Sequence, residues 1–260
     1  MMGMHALSKP APLTLAMVAI MAMASGWAQA QEAVYEGKPV RIGKGLAHTV
    51  VRTDASGKPN SISLVFTEAA LKGLPAPTAG GHTDFSYQLS MPRKGPRTVV
   101  DHVVIDWEST GHPPPKVYDV PHFDFHFYLV TPAERMKVTF KNEGESGDPS
   151  QQPPAELLPA GYIVPPGTAV PQMGIHAVNP GSPEFHGEPF KATFIYGYHD
   201  KKLTFLEPMA ALSFLESQPN FSAIIARPAS YSKQGSYPSR YSIKYDQASK
   251  SYEVTLTDLQ

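Results

Sequence analysis

Residues 121–128 read Pro-His-Phe-Asp-Phe-His-Phe-Tyr, an unbroken alternation of polar and apolar positions. Successive strand side chains point to opposite faces, so the pattern predicts a β-strand with His122, Asp124 and His126 on one side and Phe123, Phe125 and Phe127 on the other. A helix would put His122 and His126 one turn apart, but the alternating aromatics and the preceding Val120-Pro121 favour the strand. The phenylalanine face calls for a core, and the opposite face carries the candidate chemistry.

Similar patterning runs along the chain. Leu46 to Arg52 and Ser61 to Phe66 form an antiparallel pair turning at 54–58. Thr67 to Gly73 has a capping residue, an acid in its first turn and a terminal glycine, which predicts a short helix. Phe85 to Met91 is a further strand. From Val99 to Trp107 the chain alternates again, with Val99, Val103, Ile105 and Trp107 on one face and His102, Val104 and Asp106 on the other. Arg135 to Phe140 is expected to pair back on the 122–128 strand. Residues 141–160, polar and Pro-rich, predict an exposed excursion. Ala192 to Tyr198 and Leu203 to Glu207 make a hairpin turning at 199–201, after which Pro208 opens a helix to Leu215. Ser222 to Ala226, Tyr241 to Tyr245 and Tyr252 to Leu256 complete the strands. About ten short strands and two short helices predict a mainly β protein, an antiparallel barrel or sandwich.

The first thirty residues stand apart. A short start with Lys9, an apolar run from Leu13 to Ala24 and then Ala28-Gln29-Ala30 form the pattern of a secretory signal peptide cleaved near Ala30. Residues 31–260 are expected to form one β-rich domain, periplasmic or secreted, with no membrane anchor. The chain has no cysteine, which removes disulfides, a thiolate nucleophile and sulfur ligands together. It carries 22 Lys and Arg against 23 Asp and Glu, with no run of one sign, so nothing points to nucleic acid. Its 27 prolines in 260 residues, against a usual share of about 5%, suit short strands joined by ordered loops.

Strand geometry limits what the polar face can hold. At about 3.3 Å per residue, His122 and His126 have Cα atoms roughly 13 Å apart. An ion bound at about 2.0–2.2 Å hardly spans two perpendicular side chains at that distance. Asp124 with one flanking histidine, at roughly 6.6 Å, is the workable pair. Two groups elsewhere can join it. His176 follows Gly174 in a stretch rich in proline and glycine, and Glu207 is a carboxylate on an apolar strand face, costly unless paired or metal-bound. His122, Asp124, His126, His176 and Glu207 thus form a candidate site for a divalent metal ion, zinc first, with manganese and iron as alternatives. Which of His122 and His126 binds is open. The competing reading is a buried hydrogen-bonded network without metal, with Glu207 paired to Arg135 or Arg227. His102, Asp106, His112, His186 and His199 are expected on the surface or in loops.

No G-x-S-x-G, phosphate-binding glycine loop, H-E-x-x-H or thiol is present. The run of Gly111-His112-Pro113-Pro114, Tyr118 to Tyr128, Met173 to His176, Tyr196-Gly197 and Phe205 to Met209 resembles an uncharacterised family of secreted bacterial proteins. That family carries a domain of unknown function and includes a sigma-factor-regulated thermophile protein. The resemblance spans roughly Glu36 to Ser217. It implies a β-rich fold and a ring-like homo-oligomer, and it supplies no reaction. Three functions are compatible with these features: a metal-binding protein whose ion activates water, a non-enzymatic homo-oligomeric envelope or stress protein, and a barrel that binds a small ligand.

Overall fold

The structure, a computed structural model, describes residue 1, residues 32–77 and residues 84–260. The signal-peptide reading therefore lies outside the described residues, Met1 apart. Two antiparallel sheets make up the fold. The first runs in the order β1 (Ala33–Glu36), β3 (Gly45–Thr53), β4 (Pro59–Thr67), β14 (Ser251–Thr257), β13 (Arg240–Asp246) and β12 (Asn220–Ile224), with β2 (Val40–Ile42) also paired to β3. The second runs β5 (Asp84–Ser90), β6 (His102–Glu108), β7 (His122–Tyr128), β11 (Lys202–Ala211), β10 (Ala192–His199), β9 (Gly174–Ala177) and β8 (Ala169–Val170).

The sheets meet through the apolar faces that the alternation marks. Phe66 of β4 lies 6.4 Å from Phe123 and 5.7 Å from Phe125, and stacks on Tyr252 of β14 at 5.2 Å, ring centre to ring centre. Trp107 of β6 packs on Phe123 at 4.7 Å. Aromatic pairs at such distances add to the stabilisation from area burial alone. Every residue of β6 and of β7 is buried, so the polar face of the second sheet is covered as completely as its phenylalanine face. The cover consists of loops rather than a third sheet.

Several segments differ from the sequence-based expectation. Arg135 to Phe140 is no partner for β7, whose two edges are taken by β6 and β11. Instead Thr131 caps a short helix, α1 (Pro132–Arg135), in a capping box: its hydroxyl accepts from Glu134 N at 3.2 Å, and Glu134 accepts from Thr131 N at 2.8 Å. Thr67 to Gly73 forms only a 3₁₀ turn at Glu68–Leu71, because Thr67 Oγ1 accepts from Leu46 N at 3.2 Å rather than capping the turn. Pro208 opens no helix either. It lies inside β11 in register with Phe194, and the helix α2 (Leu212–Glu216) begins four residues later. Pairing of β11 to β7 skips Glu207 and Pro208, where proline has no N–H to give. Fourteen strands are present among the described residues.

The 141–160 excursion is mostly exposed, but it is pinned. Ser146, fully buried, donates to Pro165 O at 3.0 Å and accepts from Thr168 N at 3.1 Å. That ties the excursion to the loop that carries Pro165 to Thr168 across the polar face.

Candidate metal centre

Register alone assembles most of the centre. On β6 and β7, Asp106 stands opposite Asp124, Val104 opposite His126, and Glu108 opposite His122. On the other side of β7, the pairs Phe205–Tyr128 and Met209–Asp124 bracket Glu207, which places it across from His126. Two strands further on, His176 of β9 pairs with Gly197 of β10, and Gly197 with Phe205 of β11. Gly197 has no alternative there, since any Cβ would run into the Phe205 ring lying over it. That ring fills the gap between strands and supports both histidines, His126 at 4.7 Å and His176 at 5.2 Å.

The side chains fall into two groups, each of two imidazoles and one carboxylate. His126 Nε2 stands 3.5 Å from Glu207 Oε1, and His176 Nε2 stands 4.0 Å from Glu207 Oε2. His122 Nε2 is 3.2 Å from Asp124 Oδ1, and His112 Nε2 is 3.5 Å from Asp124 Oδ2. Within each group the ligand-type atoms lie within 4.8 Å of one another. Two ligands of one tetrahedral ion, each about 2.0–2.2 Å from it, stand about 3.4 Å apart, so both groups have the spacing of a coordination shell.

The imidazoles are also turned as ligands. Nδ1 of His122 meets Val120 O at 2.7 Å, Nδ1 of His112 meets Pro113 O at 2.7 Å, and Nδ1 of His176 meets Thr168 O at 2.9 Å. A carbonyl accepts only, so Nδ1 donates and the neutral ring presents a lone pair at Nε2. For His126 the corresponding neighbour is Asp106, whose Oδ2 lies 2.8 Å from Nδ1 in an ion-pair contact whose alignment falls short of a hydrogen bond. Asp106 is itself held by the hydroxyl of Ser86. A carboxylate behind a histidine fixes the ring and raises its basicity as a ligand. On the far side, His126 Nε2 and Glu207 Oε2 are buried and make no hydrogen bond among the described residues.

Burial sets the protonation of these groups. It pushes Glu207 well above the ordinary carboxylate range, and the charges of Asp124, Asp106 and Glu108 push it further. Burial pushes His176 down to about 4, against the lift from its hydrogen bond to Thr168. At Asp124 burial acts upward, but His122 and His112 beside it outweigh that and hold the carboxyl far below its usual range. A lone pair at His176 and an anion at Asp124 are the states in which they bind a cation.

Asp124, His126, His176 and Glu207 open on one cavity of about 240 Å³. Apolar side chains such as Met173, Phe185 and Ile195 share its wall with two proline pairs, Pro113-Pro114 and Pro165-Pro166, and no lysine or arginine among the described residues lines it. Buried polar groups converging in a small apolar pocket are what a ligand site needs.

All five sequence-predicted residues lie on this face, though not around one point. His126, His176 and Glu207 come together, while His122 and Asp124 join His112 instead. Neither Arg135 nor Arg227 pairs with Glu207. Arg135 sits 4.8 Å above the Tyr128 ring and donates to Gln172 O, and Arg227 meets Tyr231 and Gln260. Two residues expected on the surface or in loops are part of the centre. Asp106 is fully buried behind His126, a position legible from its alternation with Val103 and Ile105 once both faces of β6 are known to be covered. His112 stands in a loop and no local pattern announces it. Gly111 (φ 72) allows that loop to fold back, since a Cβ there would strike the Tyr118 carbonyl. His102 is buried as well, stacked on Tyr128 at 4.8 Å with Nδ1 3.2 Å from Asp101, outside both groups. His186 is exposed, and His199 is partly exposed against Phe140.

Fold and site together define a two-sheet antiparallel β protein with a buried histidine–carboxylate cluster on the outer face of one sheet. Among known families, one described as TTHB210-like, hypothetical protein TTHB210, matches residues 54–107, the segment from the β3–β4 turn to Trp107. The match precedes all the segments, from Gly111 to Met209, on which the resemblance in the sequence rests, and the family is uncharacterised. No curated protein and no solved structure matches the chain. Among the described residues no helix is long and apolar enough to cross a membrane.

Proposed function

We propose that the protein binds one divalent transition-metal ion, zinc first, through His126, His176 and Glu207, and that the ion activates water on a small substrate in the adjoining cavity. The observation that carries this reading is two buried atoms, His126 Nε2, 3.5 Å from Glu207 Oε1, and Glu207 Oε2, 4.0 Å from His176 Nε2, in residues 2% exposed or less, neither of which has a hydrogen bond among the described residues. A buried polar atom left so costs about 1–3 kcal/mol, and a cation bound within the group removes the cost. Two imidazoles and one carboxylate leave a coordination position for water, the ligand set of hydrolytic zinc sites. Nitrogen and oxygen donors also accept manganese or iron. The leader pattern and the family resemblance support an extracytoplasmic, homo-oligomeric protein in which this centre works.

The test is direct. Full-length protein made without a His-tag is stripped with chelator, dialysed against zinc and measured for bound metal. Retention of zinc, with about one equivalent fewer in His126→Ala, supports the reading. Zinc at background in the wild type, or His126→Ala binding as the wild type does, refutes it.

A further inference from the structure

The second group, His112, His122 and Asp124, lies outside the coordination set just proposed. We propose that it holds a second divalent transition-metal ion, so that the cavity contains a two-ion centre; this rests on the one-ion reading above and extends it.

Three observations converge. His122 is wholly buried and Asp124 is 4% exposed, yet His122 Nε2 and Asp124 Oδ1 face each other at 3.2 Å without a hydrogen bond. Both imidazoles spend Nδ1 on a backbone carbonyl, Val120 for His122 and Pro113 for His112, which directs each Nε2 to a different oxygen of the one carboxylate. A neutral imidazole lone pair against a carboxylate oxygen is two acceptors in contact, and a proton on Nε2 or a metal ion between them makes the contact favourable. The spacings, 3.2 and 3.5 Å, bracket the separation of about 3.4 Å between ligands of one tetrahedral ion. Nitrogen donors at two of three positions select zinc, cobalt or a similar ion over calcium or magnesium, which prefer oxygen.

The group is also built from separate parts of the chain, as a site rather than a local turn. His122 and Asp124 come from β7, and His112 comes from the loop between β6 and β7, held by the close approach that Gly111 permits. Asp124 and His126 follow each other on one strand face, so their Cα atoms stand roughly 6.6 Å apart and the two groups are neighbours. The His112 side chain, 25% exposed, gives the second group its access to solvent. A single ion at His126 would leave Asp124 and His122 as they are, buried against each other.

Metal-stripped full-length protein titrated with cobalt(II), followed by its visible absorption and by bound metal after dialysis, decides the count. The expected result is saturation near two equivalents for the wild type and near one for Asp124→Asn, for His112→Ala and for His126→Ala. His112 is partly exposed, so His112→Ala keeps the test informative if Asp124→Asn disturbs folding. Saturation near one equivalent in the wild type, unchanged in Asp124→Asn and His112→Ala but abolished in His126→Ala, overturns the second ion and leaves the first. No binding by the wild type overturns both.

Discussion

Replacing Glu207 by glutamine keeps the shape of the centre and removes its charge, which separates ion binding from stability. In the metal-free protein Glu207 is buried, its Oε2 has no hydrogen-bond partner among the described residues, and the charges of Asp124, Asp106 and Glu108 oppose its ionisation. Its folded-state value lies well above the ordinary 4.5, so the unfolded chain gives up this proton first. From about pH 4.5 upward the folded state then binds more protons than the unfolded one, and the Glu207 contribution to stability falls as pH rises toward the folded value. His176 acts the other way over a lower window. Its folded value is about 4 against an ordinary 6.5, so its contribution is present above 6.5 and is lost as pH falls toward 4. Above pH 6.5 the Glu207 effect stands alone. There the metal-free Glu207→Gln protein gains on the order of 1–3 kcal/mol, because the amide carries no charge to desolvate and its N–H can donate to the lone pair of His126 Nε2. For a chain of this size that is roughly 2–10 °C in Tm. Zinc reverses the order. At a free concentration near 1,000 times its Kd it stabilises the wild type by about 4 kcal/mol, and the variant, lacking the anionic ligand, gains far less. Calorimetric melts of both proteins at pH 7 and 8, with chelator and with zinc, measure all four values. A lower Tm for metal-free Glu207→Gln than for metal-free wild type refutes the reasoning, because it means that a proton on His126 or His176 already satisfies the carboxylate.

Other substitutions test the supports of the centre. Asp106→Asn, which weakens the grip on His126 Nδ1, lowers zinc affinity by roughly 10–100-fold in a competition titration against a chelating dye. Gly197→Ala drives a methyl into the Phe205 ring and costs about 1–3 kcal/mol by overpacking, and it weakens zinc binding because Phe205 backs both His126 and His176. Phe125→Ala, on the opposite face of the same strand, costs about 3–5 kcal/mol in urea unfolding while leaving bound metal per folded molecule unchanged.

The period-two alternation in β7 fixes, from local chemistry alone, that the chain is a strand there and that His122, Asp124 and His126 share a face. The strand rise also argues against one ion between His122 and His126, and the structure places them in different groups. These conclusions need only the dihedral geometry of a few residues. The absence of cysteine likewise limits any metal to nitrogen and oxygen ligands.

The neighbours of β7 are another matter. Sequence reading pairs Arg135 to Phe140 with it, yet β11 takes that edge, because Thr131 and Pro132 commit the nearer segment to a capped turn of helix while β11 runs on through Pro208. A proline inside a central strand contradicts local preference, and only the ladder that skips Glu207 and Pro208 shows how it is accommodated. The same long-range register brings Glu207 to His126, carries His176 in from two strands away, and sets Asp106 behind the ring. His112 depends on a loop whose return is fixed by contact with Tyr118. The sequence by itself determines which residues face together along one strand, since that follows from a backbone period of two. Tertiary structure alone decides which strands and loops meet that face and divides its five candidates between two groups, because register across strands is set by packing over the whole sheet.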